Sequence, residues 1–236
     1  MSERFPEIIQ FSASPPPLTP NQLHLMVASL DTLASNRERT SAVIDVEEQA
    51  RAERFVNATH GDNFRLVRGT LRLCLAAYLG LAAEDIRFDF NKYGKPEIVP
   101  EQNHKALRFN ISHSHQMAAF AFTEEKPIGV DIEFIKPMKD MAGLAEHVCC
   151  PQELDEFNAI APQERQKAFF RLWTRKEAFI KAKGQGLSMG LRSIYIGFDT
   201  NRAIHRVQYR GDWLNNWLVK DLECDANYQL ATTIEV

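Results

Sequence analysis

Apolar and polar positions change their spacing several times along the chain, and each change marks an element. Residues 1–22 hold Pro15, Pro16, Pro17 and Pro20 with few apolar runs, so an irregular segment laid over the surface is expected there. Leu23, Leu25 and Val27 alternate, which predicts a strand over residues 23–30. Asp45 with Glu48 three positions on is a capping-box start for a helix to about Phe55. The clearest helix is expected over residues 63–79. There Val67, Leu71, Cys74, Leu75 and Tyr78 follow the 3.6-residue period, with Asp62 as cap and Gly80 as stop. Strands are expected at 86–90, 107–111, 117–122 and 128–134, with a turn at 91–96. Pro151 opens a short helix with an acidic first turn, and a long helix runs over 162–183 to Gly184. Strand-like segments return at 194–199, 217–221 and 228–234.

The order of a strand, helices and three strands thus occurs twice. It predicts an α+β fold of two similar halves, each with helices packed on a small, mainly antiparallel sheet. The expected organisation is an irregular segment (1–22), an N-terminal half (23–125) and a C-terminal half (126–236). The join at residues 124–127 is short, so tight packing with a ligand cleft between the halves is expected.

Composition narrows the function classes. Apolar residues at 44% and charged residues at 25% describe a globular chain. Lys plus Arg number 28 against 31 Asp plus Glu, which excludes a basic nucleic-acid coat or a polybasic membrane binder but not a local basic site. Cys74, Cys149, Cys150 and Cys224 form no CxxC pair, so a zinc knuckle or dithiol redox site has no support. Met1 to Gln10 carries charges and Pro6 where a leader would be apolar, and no apolar run approaches the roughly 20 residues of a spanning helix. A reduced, cytoplasmic protein is expected.

Four constellations carry chemistry. On a strand, Asp131 and Glu133 share one face while Val130 and Ile132 face the core. Two carboxylates so placed suit a hard cation such as Mg²⁺, and the same pattern also fits a wet acidic face on an edge strand. Trp173, Glu177 and Lys181 stand at i, i+4 and i+8 on the long helix, where Glu177 and Lys181 also fit an ordinary surface pair. Arg65, Arg68 and Arg72 form a stripe, with Arg51 and Arg54 on the preceding helix. Forked guanidiniums at this density suit phosphate, with a solvated face as the alternative. Finally, the Gly94–Lys95 turn and the Ser112–His113 pair supply an ammonium, a hydroxyl and an imidazole. No G-x-S-x-G elbow, Walker A sequence or G-x-G-x-x-G is present, so serine hydrolases, P-loop kinases and Rossmann enzymes fit poorly. Three carboxylates with several phosphate-binding cations are the equipment of phosphoryl-type transfer from a nucleotide.

The ordered motifs KYGKP (Lys92–Pro96), FNISHS (Phe109–Ser114), IGVDIE (Ile128–Glu133) and LWTRKEAFIKAKGQGLS (Leu172–Ser188) resemble the 4′-phosphopantetheinyl transferases of the surfactin-synthetase-activating type. The resemblance covers residues 23–193. It implies a monomer of two pseudo-symmetric halves with coenzyme A between them, and an apo acyl or peptidyl carrier protein as partner. A serine of the carrier receives the phosphopantetheine arm and adenosine 3′,5′-bisphosphate leaves. By position, Asp131, Glu133 and Glu177 look like the Mg²⁺ ligands, and Lys181 like the lysine on the transferring phosphates. Lys95, Ser112 and His113 match residues holding the nucleotide's phosphates, and Arg51 and Arg54 approach the 3′-phosphate. Lys181 and His113 would stabilise developing charge, while Glu177 or Glu133 takes the serine proton. Trp173 and Lys176 match motif positions, the latter placed with the coenzyme contacts and partly supporting the helix. Met26 stands where many members have tryptophan, the approach to Arg51 is acidic (Asp45, Glu47, Glu48), and Gln185 replaces a frequent lysine. Two other readings use the same residues: a Mg²⁺-dependent hydrolase of coenzyme A or a related dinucleotide, and a non-catalytic carrier-binding module.

Overall fold

The computed structural model describes residues 4–12 and 14–236, and within it the chain forms two compact units. One is Glu7–Glu125. The other gathers Lys126–Val236 with the described part of residues 1–6. The first three residues and residue 13 of the expected irregular segment lie outside the described residues.

The first unit contains β1 (Glu7–Gln10), β2 (Gln22–Ser29), the short helices α1 (Leu30–Ala34) and α2 (Arg37–Ala42), α3 (Val46–Glu53) and α4 (Ala58–Leu79). It continues with β3 (Phe88–Phe90), β4 (Pro96–Ile98), β5 (Leu107–Ser114) and β6 (Met117–Glu124). One sheet has the order β1-β2-β6-β5, and β3 pairs with β4 separately. All pairs are antiparallel except β1 with β2. β1 falls where no regular structure was expected, because its main chain pairs in register with β2 and a four-residue strand has too few side chains to show a period.

Capping chemistry sets the helix starts. Asp45 Oδ1 accepts from the Glu48 N–H at 2.8 Å, and Glu48 Oε2 accepts from the Asp45 N–H at 3.2 Å, the reciprocal box the spacing predicts. α4 begins more than a turn earlier than its apolar stripe, since Asn57 Oδ1 accepts from the Thr59 N–H at 2.9 Å. Asp62 is therefore no cap. It lies inside the helix and pairs with Arg65 at 3.0 Å. Leu66, Val67, Leu71, Leu75 and Tyr78 of α4 pack against Met26, Phe109, Phe120 and Phe122 of the sheet to form this unit's core.

The second unit contains β7 (Ile128–Phe134), α5 (Met141–Val148), α6 (Pro151–Ala159), α7 (Pro162–Lys183), β8 (Ile194–Tyr195), β9 (His205–Tyr209), β10 (Asp212–Leu222) and β11 (Tyr228–Glu235). Its sheet has the order β7-β11-β10-β9-β8 and is antiparallel throughout. α7 has the expected bounds and ends at Gly184, whose φ of 65° is cheap only for glycine. Phe169, Leu172, Phe179 and Ile180 of α7 pack with Val207, Trp217 and Val219. Each unit thus sets one 22-residue helix on a mainly antiparallel sheet, an α+β architecture. Among the described residues no helix is long and apolar enough to cross a membrane.

Candidate functional site

The approach of β7 to α7 builds the acidic part of the site. A Cβ placed on Gly129 would meet the Ala178 carbonyl oxygen at 1.9 Å, so this face of β7 looks directly at the helix. Alternation puts Asp131 and Glu133 on the same face. Opposite them, α7 presents Glu177 and Lys181, both half-buried, while Trp173 stacks on Phe169 against the core. Lys181 Nζ donates to Asp131 Oδ1 at 2.6 Å. Asp131 is only 3% exposed, so this is no wet acidic face. Val130 and Ile132, on the other face, are also fully buried.

The carboxylates also act on one another through their charges. Burial first, then the charge of Asp131, pushes the Glu177 carboxyl up to about 7, with Lys181 opposing and Glu133 adding to the rise. Glu177 Oε1 is buried without a hydrogen-bond partner. Among the described residues no three His, Cys, Asp or Glu side chains stand close enough to cage a metal as they are, and Asp131 is turned to Lys181. The donor set nevertheless fits a hard divalent cation. Its atoms are carboxylate oxygens, and one of them is dry and unsatisfied.

Lys176 does not join this group. It is 0% exposed, and its Nζ donates to the Val148 carbonyl (2.8 Å), the Leu191 carbonyl (2.9 Å) and Glu153 Oε2 (2.5 Å). An ammonium has three N–H groups, so none remains for a coenzyme, and the expected ligand contact gives way to a structural one. The acidic first turn of α6 supplies the partner. Glu153 also accepts from the N–H groups of Cys150, Ile196 and Gly197. Beside it, Arg175 forks onto Asp221 at 2.9 and 2.5 Å and donates to the Gly197 carbonyl at 2.7 Å. Two successive buried cations thereby lock α7 in place, and Glu177 follows them directly.

In the first unit, Arg51 stands in the last turn of α3 and Arg54 caps it. Both line a cavity of ≈ 640 Å³ with Phe64, Arg68, Phe88 and Phe90. Phe64 carries Arg51 at 5.2 Å over its ring, and Arg68 lies 5.3 Å over Phe88. The rest of the arginine stripe is structural. Arg65 donates to Asp62 and Gln49, both at 3.0 Å. Arg72 is 0% exposed and holds Glu48 Oε2 at 2.6 Å, Asp45, and the carbonyls of Ala83 and Ile86. The acidic approach to Arg51 is thus the counter-charge for α4, brought from another helix where spacing within α4 cannot show it.

Arg68 differs from its neighbours. It is 5% exposed and pairs with Glu48 at 3.0 Å through Nε, yet its buried Nη1 has no hydrogen-bond partner. Desolvation lowers its pKa. The arginine stripe that the sequence marked as suited to phosphate included Arg68, but spacing could not show that Arg68 alone of the three keeps a buried N–H without an acceptor. Phe64, four positions before it on α4, was the available signal for the aromatic lining.

Lys95 follows a turn in which Asn91 Oδ1 accepts from the N–H groups of Tyr93 (2.9 Å) and Lys95 (3.0 Å). Burial pushes its ammonium down to about 8. Ser112 is buried and His113 exposed on β5. As neighbours on a strand they point to opposite faces.

Comparison with known proteins covers both units. Residues 127–233 match the family model described as the 4′-phosphopantetheinyl transferase superfamily, and residues 33–125 match the model for the N-terminal part of 4′-phosphopantetheinyl transferases. The chain is 34% identical over 219 residues to the 4′-phosphopantetheinyl transferase HetI of Nostoc sp. (strain PCC 7120), covering 92% of both chains. It is 32% identical to a putative 4′-phosphopantetheinyl transferase of Synechocystis sp. (80% of this chain, 78% of that one). It is 33% identical to the 4′-phosphopantetheinyl transferase Sfp of Bacillus subtilis (strain 168), covering 67% of this chain and 68% of that one.

Proposed function

From the premise that this chain belongs to the 4′-phosphopantetheinyl transferase family, we propose that it moves the phosphopantetheine arm of coenzyme A onto a serine of an apo carrier protein, with Mg²⁺ as cofactor and adenosine 3′,5′-bisphosphate as leaving product. The observation that carries the site assignment is the dry Oε1 of Glu177 beside Asp131, Glu133 and Lys181. Asp131, Glu133 and Glu177 would hold the Mg²⁺, which supplies neutralising charge to the pyrophosphate when bound.

The chain's own residues do the rest. The carrier serine Oγ attacks the phosphorus that bears the pantetheine, and the bond from that phosphorus to the bridging oxygen breaks, leaving with adenosine bisphosphate. Glu177 or Glu133 would take the serine proton. The Lys181 ammonium, freed from Asp131, would meet the charge growing on the phosphate oxygens. Arg51 and Arg54, which line the aromatic cavity, would take the 3′-phosphate, together with the spare N–H of Arg68 in the same lining. Lys95, Ser112 and His113 would contribute singly to the other phosphates. The enzyme is read as a cytoplasmic monomer; its four cysteines are free thiols, three of them buried, as suits a reducing compartment.

Mass spectrometry tests the proposal. An apo carrier incubated with the protein, coenzyme A and Mg²⁺ should gain one phosphopantetheine, and Asp131→Ala should abolish the gain in a folded protein. No gain across acyl and peptidyl carriers would overturn it, and adenosine bisphosphate released without any carrier would identify a hydrolase instead.

A further inference from the structure

At Gly129, β7 passes directly against the main chain of α7. The glycine's missing Cβ would stand 1.9 Å from the Ala178 oxygen, 3.0 Å from the Ala178 carbonyl carbon and 2.5 Å from the Ala182 nitrogen. All three are main-chain atoms, so no rotamer change relieves the overlap. The residue is absent from the positive-φ positions, so what it needs is space, not an unusual conformation. The two α7 residues it touches, Ala178 and Ala182, directly follow Glu177 and Lys181. Along β7, Asp131 is the next side chain on the same face.

We propose that Gly129 is a positioning residue: its missing methyl sets the gap between the β7 carboxylates and the Glu177–Lys181 face of α7, and so the size of cation the site prefers. The inference rests on the metal-site reading above. Restoring ordinary contact around an alanine methyl drives strand and helix apart by roughly 1 Å. The 2.6 Å contact between Lys181 and Asp131 opens with it. Mg²⁺ requires oxygens at about 2.0–2.1 Å in near-ideal octahedral geometry, whereas Ca²⁺ accepts about 2.3–2.6 Å and irregular shells. A widened gap therefore penalises Mg²⁺ more than Ca²⁺.

Calorimetric titration of the full-length protein with Mg²⁺ and, separately, Ca²⁺, in the presence of coenzyme A, reads this without turnover. Gly129→Ala should weaken Mg²⁺ binding by about tenfold or more while Ca²⁺ binding changes by less than about threefold. Where carrier loading is followed as well, kcat should fall on the order of 10²-fold, as an ångström of misplacement commonly does, with little change in the coenzyme A KM. Gly69→Ala is the control for general strain, since a Cβ there would meet the Thr40 carbonyl oxygen at 2.2 Å, also main chain, on a different helix. It should lower the melting temperature and leave the Mg²⁺/Ca²⁺ ratio unchanged. If Gly129→Ala does not fold, Ala178→Val enlarges a fully buried side chain on the same helix turn and should shift the ratio the same way. An unchanged ratio in the folded variant, or an equal shift in Gly69→Ala, overturns the inference alone. A wild-type protein that binds neither ion overturns the metal-site reading and this inference with it.

Discussion

Replacing Lys176 with methionine separates a structural lysine from a ligand-binding one. The change keeps the stem and removes the ammonium, leaving the Glu153 carboxylate, 0% exposed, without its cation. Breaking a buried ion pair from one side costs about 3–5 kcal/mol, because the remaining charge stays desolvated. Three N–H groups, from Cys150, Ile196 and Gly197, still hold Glu153, which places the expected loss toward the lower end. The Val148 and Leu191 carbonyls lose their donor as well. At about 2–4 °C per kcal/mol for a chain of this size, the melting temperature should fall on the order of 10 °C. Adding Glu153→Gln removes the stranded charge and should recover part of the loss. The assay is a thermal melt of the two variants and the wild type beside steady-state kinetics in coenzyme A below the transition. The KM for coenzyme A should stay within about threefold of wild type, since uniform binding contacts are untouched. A variant that melts like wild type but has a KM raised tenfold or more would show that the ammonium reaches the ligand and that the buried clamp is misassigned.

Two pH dependences follow from burial. Glu177 holds its proton up to about 7 when no cation is bound, so metal binding below that pH must displace a proton. Mg²⁺ affinity should rise as pH goes from about 6 to 8 and then level, with proton uptake by buffer visible calorimetrically; a flat profile sinks the assignment. The same raised value makes the metal-free fold lose stability as pH climbs from the ordinary carboxylate range towards 7, and Glu177→Gln should remove that slope. Lys95 is lowered to about 8, so it is charged below that pH and neutral above it. kcat/KM for coenzyme A should fall as pH passes through about 8, and Lys95→Met should flatten that limb while lowering the plateau. An identical alkaline limb in the variant would assign it to another group.

Local chemistry made α7 legible from the sequence. Pro162 can start a helix, Gly184 can stop one, and the apolar period between them belongs to residues a few positions apart. The Asp45–Glu48 box and β7 were equally readable, because capping bonds and strand alternation are properties of neighbours. The start of α4 was missed although its Asn57 cap is local, because the apolar stripe begins further along the helix; β1 and β9 were not legible, since their partners lie elsewhere and their segments are too short to show a period.

What the sequence by itself determined was the inventory, a short-range matter: carboxylates at 131, 133 and 177, cations at 51, 54, 95 and 181, and the element bearing each. Tertiary structure alone decided which partner each cation meets. Lys176 and Lys181 stand five residues apart on one helix with the same chemistry. One is spent on Glu153 and two carbonyls, while the other faces Asp131. Arg68 and Arg72 are likewise one turn apart, yet only Arg68 keeps a buried N–H without an acceptor. A side chain's ionisable group is fixed by its covalent structure, but its partners come from residues 11 to 50 positions away. Only the packing of helix on sheet brings those partners within hydrogen-bonding distance.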